Sequence, residues 1–289
     1  MLKLNRNKLA ASLGKSRFLP KLALHYVSEP STVLIRTAEA ELLSALPMEP
    51  PVLDLCCGNG YFCSLICPDG VEAGCDFSLP ALQQAHNRGQ YRQIACADIT
   101  KGIPFRDQSF QTVISNSSLE HVADIATPIG EIARVLKHGG RLYTTFASHY
   151  AYEWWPCGQA ALKRYLHFQP VYNYFPLQEW EHRMAKVGLQ VVNHQYYLSK
   201  SATRLLFFLD YHFSHVRLTS DKTLTRPIIR GIDKIHRKAL FRLWVEMFAR
   251  IKICTQAEGG GVLIVAERET MMPSGLLTKR QVNCTNTLL

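Results

Sequence analysis

This sequence predicts an α/β chain with a doubly wound, mostly parallel sheet and a helical insertion before the last strand. Three observations carry that reading. The apolar run Val52-Leu53-Asp54-Leu55 closes on Cys56-Cys57-Gly58-Asn59-Gly60, a strand ending in a glycine turn that opens a helix. Sixteen residues after Gly60, Asp76 ends a second apolar run and puts a carboxylate at the tip of the neighbouring strand. From about 52 to 147, strand-like and helix-like periods alternate, the pattern of a parallel sheet with crossover helices.

The elements follow in order. Residues 1–50 read as a basic N-terminal helical segment, with a helix around Thr37 to Leu46 closed by Pro47 and Pro50-Pro51. The strand–helix alternation then occupies a domain of residues 51–269. Residues 149–176 are rich in aromatics, among them Tyr150, Tyr152, Trp154, Trp155, Tyr165 and Tyr174. A helix from about Leu177 to Lys186 stops before Gly188, and a strand follows from Leu189 to Leu198. An insertion of about 200–256 precedes the last strand, Gly260 to Ala266. In its second half Ile228, Ile232, Ile235, Ala239, Leu243 and Met247 form an apolar stripe, with Arg230, Lys234, Arg237, Lys238 and Arg242 largely off it. Residues 270–289 read as a mobile tail.

The turn after the first strand has the chemistry of a nucleotide-cofactor site. Gly58 and Gly60 let the backbone bend sharply and approach a ligand closely. A carboxylate at the next strand tip can accept two hydrogen bonds from a ribose diol. The dinucleotide fingerprint Gly-x-Gly-x-x-Gly would need glycine at position 63, which is Cys63, so a nicotinamide pyrophosphate loop is disfavoured.

What remains resembles the S-adenosylmethionine loop of class I methyltransferases, Asp/Glu-x-Gly-x-Gly-x-Gly. Asp54, Gly58 and Gly60 match, and Cys56 stands for the first glycine. That departure is harmless in an extended backbone and harmful at positive φ. Further motifs resemble the family in order: Val71 to Ser78 its second strand and ribose-binding acid, Cys96-Ala97-Asp98-Ile99 the end of its third, and Pro104 to Asn116 its fourth. Leu119-Glu120-His121-Val122 is similar to a short helix common in ubiquinone/menaquinone-type small-molecule methyltransferases. Glu131 to Leu142 resembles their helix and glycine turn before strand five, with His138 where proline is usual and Gln111 where aspartate is common earlier. The resemblance implies a Rossmann-like sheet of seven strands, the last two usually joined by a short turn, and S-adenosyl-L-methionine as cofactor. It places Asp54, Cys56, Gly58, Gly60, Asp76, Phe77, Asp98, Ile99 and Asn116 at the cofactor.

The implied reaction is in-line methyl transfer to a small-molecule, lipophilic acceptor. A general base is needed only if the acceptor loses a proton during attack. His121 and His149 are the candidates, since both follow predicted strands on the ligand-binding edge. Glu153 and Tyr150 are weaker ones. A noncatalytic cofactor- or partner-binding relative, a nicotinamide oxidoreductase and an RNA methyltransferase are the alternatives; the second lacks the third glycine and a Tyr/Lys pair.

Composition agrees with one globular domain. The chain has 289 residues, 47% hydrophobic and 19% charged. Nine cysteines, several in predicted strands, argue for a reducing, cytoplasmic setting rather than a disulfide scaffold. Cys57, Cys63, Cys67 and Cys75 match no zinc spacing, so no metal is expected. The net charge of +10 is uneven: residues 1–21 carry six Lys/Arg and no acid, and residues 217–252 carry ten Lys/Arg against three acids. A basic amphipathic insertion is compatible with peripheral contact on an anionic membrane. Nucleic acid is not an expected partner, because nothing resembles an RNA-binding module.

Overall fold

The structure, a computed structural model, describes residues 9–215, 225–255 and 257–270. The basic residues Lys3, Arg6 and Lys8, the predicted tail beyond Thr270, and the side chains of Ile228, Arg230, Ile232, Lys234 and Ile235 lie outside what it describes.

Seven strands form one sheet: β1 Val52–Leu55, β2 Val71–Asp76, β3 Tyr91–Cys96, β4 Phe110–Asn116, β5 Leu136–Ala147, β6 Leu189–Tyr197 and β7 Gly261–Arg268. Their order is β3-β2-β1-β4-β5-β7-β6. β1 to β5 pair in parallel, and β7 runs antiparallel to both β5 and β6. The inner strands β1 and β7 are buried on both sides because helices cover both faces, while the edge strands β3 and β6 carry exposed polar residues. In β7 alone, Val262, Ile264 and Ala266 enter one core while Leu263 and Val265 enter the other.

One face carries α1 (Leu19–His25), α2 (Pro30–Ser44), α3 (Tyr61–Ile66), α4 (Leu79–Arg88), α9 (Lys200–Leu209) and a long helix, Thr225–Phe248. The other carries α5 (Ala126–Val135) and α8 (Leu177–Ala185). The short α6 (His149–Glu153) and α7 (Gln159–Phe168) follow β5, and a π-helical turn, Asp210–His215, follows α9. At the bulge that opens β5, Gln111 Nε2 donates to the Gly139 carbonyl at 3.3 Å, which gives this glutamine a turn-holding role.

The start of α2 and the phase of the long helix differ from expectation. The N-terminal helices pack into the sheet's own core, where Leu13, Leu19, Leu22, Val33, Leu34 and Leu42 are buried together with residues of β1 and β7. α2 also starts at Pro30 rather than near Thr37, since proline's missing N–H and fixed φ suit a first helical turn. In the long helix the period is right but the phase is off by one residue, about 100° around the axis. Trp244 and Phe248 are buried, with Leu240, Phe241 and Val245 beside them. Ala239, Leu243 and Met247 face outward instead. The reason is bulk and one polar atom: the indole fills the space against the N-terminal helices, and its Nε1 donates to the Val27 carbonyl at 2.7 Å.

Candidate active site

The turn between β1 and α3 is built from left-handed residues. Cys56 has φ 59°, Gly58 φ 53° and Gly60 φ 73°. The Gly58 amide donates to Asp76 Oδ2 at 2.9 Å, and the Ser78 amide donates to Asp76 Oδ1 at 2.8 Å. Asn59 Oδ1 accepts from the Tyr61 amide at 3.0 Å and starts α3. A Cβ on Gly58 would meet no protein atom within 4 Å, whereas one on Gly60 would stand 2.9 Å from Tyr91 Cε2. Gly60 is therefore demanded by packing, and a side chain at Gly58 would point into open space. Cys56 has the conformation that the sequence reading marked as harmful, so the glycine it replaces would have been conformationally easier.

The other cofactor candidates divide. Asp76 is buried at the β2 tip and Phe77 stands beside it, 77% exposed. Asp54 lies beneath the turn, where Tyr91 donates its hydroxyl to Oδ2 at 2.6 Å. Burial pushes the Asp54 carboxyl up to about 6 against that hydrogen bond, so it acts as a pillar for the turn. Asp98 lies in the open two residues past β3, where hydrogen bonds from the Thr100 hydroxyl and amide hold its carboxyl below the usual range. Ile99 turns into the core below. Asn116 is already engaged: its Nδ2 donates to Glu39 Oε2 at 3.2 Å, and its Oδ1 accepts from Thr145 at 2.8 Å.

Along the same carboxyl edge of the sheet, past the ends of β4 and β5, opens a cavity of about 170 Å³. Ser31, Ile35 and Arg36 of α2, Ser117, Glu120 and His121 after β4, Tyr152 of α6 and Phe207 of α9 are among its walls. Glu39, buried behind Arg36, ties this region together. It accepts from Arg36 at 2.9 Å, Ser117 at 2.5 Å and Tyr197 at 2.9 Å, besides Asn116. Asp210 closes the far side, accepting from the Ser31 and Tyr165 hydroxyls at 2.8 and 2.7 Å. Cys56 connects the two halves, since its thiol faces the Ser118 hydroxyl and the Asp76 carboxylate; burial raises that thiol.

Glu120 is the most perturbed acid of the cavity. Burial pushes its carboxyl up to about 8, helped by the charge of Glu39 and opposed by Arg36. Its neighbour His121 lines the cavity, with Nδ1 bonded to the Pro170 carbonyl at 2.7 Å. A carbonyl only accepts, so Nδ1 carries the hydrogen and Nε2 faces Glu120 Oε1 at 4.0 Å. His149 is not among the cavity's walls; it packs on Tyr150, ring centroids 3.9 Å apart. The structure thus brings one of the two candidate histidines to the cavity. Tyr150 stacks on Trp154 and meets Tyr196 edge-on, while Tyr152, Trp155, Tyr165 and Phe207 form a small aromatic cluster beside the cavity.

Sequence reasoning missed Glu39, Arg36, Glu120 and Asp210. Glu39 left a signal: an acid among Val33, Leu34, Ala38, Leu42 and Leu43, all on one helix and buried. Glu120 sat within a recognised motif whose histidine drew attention. Asp210 left none, because it is tied to Ser31 only through the fold.

Comparison with known proteins agrees with this geometry. Residues 53–144 match the family described as a methyltransferase domain. The chain is 34% identical over 110 residues to a demethylmenaquinone methyltransferase of Beutenbergia cavernae, covering 38% of this chain and 45% of that protein. It is 38% identical over 114 residues to a malonyl-[acyl-carrier protein] O-methyltransferase of Herminiimonas arsenicoxydans, covering 38% of this chain and 42% of that protein. The chain thus spans less than half the length of these curated relatives. A solved SAM-dependent methyltransferase of Thermotoga maritima superposes with a TM-score of 0.54 at 16% identity, over 87% of this chain and all of that one, which shows the shared fold.

Proposed function

We propose that this chain, in which a class I methyltransferase domain spans residues 53–144, uses S-adenosyl-L-methionine to methylate a small-molecule acceptor held in the cavity beside the cofactor turn. One observation carries the reading: the amide of Gly58 holds the Asp76 carboxylate at the edge of an open cradle, and the cavity opens along the same sheet edge. The bound cofactor supplies a methyl group already activated by a sulfonium. Asp76 is the acceptor for a ribose diol, and the exposed Phe77 ring offers an apolar face for a base. Cavity residues then have to orient the acceptor and exclude water, for which effective molarities supply on the order of 7–11 kcal/mol in well-aligned cases. The relative named for demethylmenaquinone supports a small acceptor, and the apolar walls Ile35, Leu206 and Phe207 support a lipophilic one.

Peripheral contact with anionic lipid belongs to the same proposal. Arg237, Lys238, Arg242 and Arg250 are exposed on the long helix and the residues after it, beside the outward Leu243 and Met247. Among the described residues no helix is long and apolar enough to cross a membrane. Incubating cell extracts with labelled cofactor and the protein, then reading methylated products by mass spectrometry, tests the function. A labelled small molecule formed only with the protein supports it, and label confined to RNA or protein overturns it.

A further inference from the structure

Glu120 is a buried carboxyl facing the cavity, and its Oε2 has no hydrogen-bond partner. Buried polar atoms are nearly always satisfied, so an orphaned carboxyl oxygen at a ligand cavity points to the ligand as its missing partner. The backbone that carries it is also held in place. The Glu120 carbonyl accepts from the Tyr172 and Asn173 amides at 2.8 and 3.1 Å, and Asn173 Nδ2 donates to the Leu119 carbonyl at 2.8 Å. Such clamping fits a positioned proton acceptor.

The size and walls of the cavity suit one kind of partner. Its space of about 170 Å³ is close to the roughly 150 Å³ of an engineered apolar cavity that takes benzene. Tyr152, Tyr165 and Phe207 supply aromatic walls. The other carboxylates there are already engaged, Glu39 by Arg36, Asn116, Ser117 and Tyr197, and Asp210 by Ser31 and Tyr165.

Resting on the cofactor reading above, we propose that the acceptor is a one-ring compound with an acidic hydroxyl, a phenol or enol, and that Glu120 is the base that takes its proton. The hydroxyl proton passes to the Glu120 carboxylate and the oxygen's electron pair forms the new carbon–oxygen bond. The pair of the broken carbon–sulfur bond stays with sulfur, so a methyl ether and S-adenosylhomocysteine result and the sulfonium charge is cancelled by that of the carboxylate. A carboxyl raised to about 8 is a better match to a phenolic proton than an ordinary one, and works near neutral pH. The charged and titratable groups around it are Glu39 and Arg36 of α2, His121 beside it, Tyr152 of α6, Tyr165 of α7 and Tyr197 at the end of β6, and the amides of Glu120 and Ala147 act on the carboxyl against the burial that raises it.

The test compares the full chain with Glu120→Gln, an isostere that cannot take the proton. With radiolabelled S-adenosylmethionine, catechol and 4-hydroxybenzoate are the probes, and aniline and benzoate are the controls. The expected result is labelled methyl ether from the hydroxylated rings alone. Glu120→Gln should lower kcat by roughly 100-fold or more, within the usual range for general base catalysis, with S-adenosylhomocysteine affinity unchanged. The wild-type rate should rise with pH towards about 8, a rise the variant loses. A second readout needs no turnover. Because the folded-state pKa is raised, the wild type binds an extra proton when folded and loses stability as pH rises from the ordinary glutamate range towards about 8. The melting temperature of Glu120→Gln relative to wild type should therefore increase over that window. A variant that methylates at the wild-type rate, a melting difference independent of pH, methylation of aniline, or no product from either hydroxylated ring while S-adenosylhomocysteine binds would each overturn the proposal. Loss of kcat in a His121 variant but not in Glu120→Gln would do the same. Absence of S-adenosylhomocysteine binding would instead overturn the cofactor reading on which it rests.

Discussion

The amide of Gly58 donates to Asp76 Oδ2 at 2.9 Å, which joins the turn after β1 to the tip of β2 as one unit. Asp76 therefore shapes the cradle, and it is the group proposed to meet the ribose. Asp76→Ala should weaken S-adenosylhomocysteine binding by about 10- to 100-fold, since hydrogen bonds to a charged group contribute roughly 1.5–3 kcal/mol. Calorimetric titration reads this directly, and unchanged affinity would mean that the ribose lies elsewhere.

Cys56 sits at φ 59° where a glycine would relax. Cys56→Gly should relieve about 1–2 kcal/mol of left-handed strain and lose part of it to unfolded-chain entropy. A net rise of about 1–3 °C in Tm is expected. A fall in Tm would show that the thiol's packing against Ser118 and the strand tips outweighs the strain.

The insertion belongs to the core rather than to a removable lid. Trp244 and Phe248 are buried at 3% and 0% exposure, so Trp244→Ala should cost about 3–5 kcal/mol, and deleting 203–255 should unfold the domain rather than uncover its cavity. Urea unfolding of the point variant checks the figure. A loss under about 1 kcal/mol would mean that the long helix contributes little to the fold.

If the exposed arginines and Lys238 meet lipid, sedimentation with anionic vesicles should fall as salt rises, because exposed charges are screened over about 8–10 Å at physiological ionic strength. Arg242→Glu with Lys238→Glu should reduce it further. Equal sedimentation with neutral and anionic vesicles would remove the electrostatic contact.

The parallel half of the sheet was legible because local signals coincide there. Glycines at 58 and 60, Asp76, and the alternating strand and helix periods each fix a short piece of chain, and the pieces agree. The position of the last strand and the span of the insertion could also be placed, whereas the antiparallel direction of β7 is set only by its pairing with β5 and β6. Phase around the long helix was not, because Leu243 and Met247 are as apolar as the residues that are buried, and only the partner surface decides between them. The cavity was the least legible part. Glu39, Glu120 and Asp210 come from α2, the turn after β4 and the end of α9, and only the tertiary fold brings them to one place. His149 packs on Tyr150 away from the cavity walls, because a position after a strand does not say which way the side chain turns.

The central claim is that the Gly58–Asp76 cradle holds S-adenosylmethionine, and its most direct test is calorimetric titration of the purified chain with S-adenosylhomocysteine, with NADH as the control. The account predicts one binding site of micromolar affinity, a raised melting temperature and no heat from NADH. No heat and no thermal shift at millimolar S-adenosylhomocysteine, or saturable binding of NADH in its place, would contradict it.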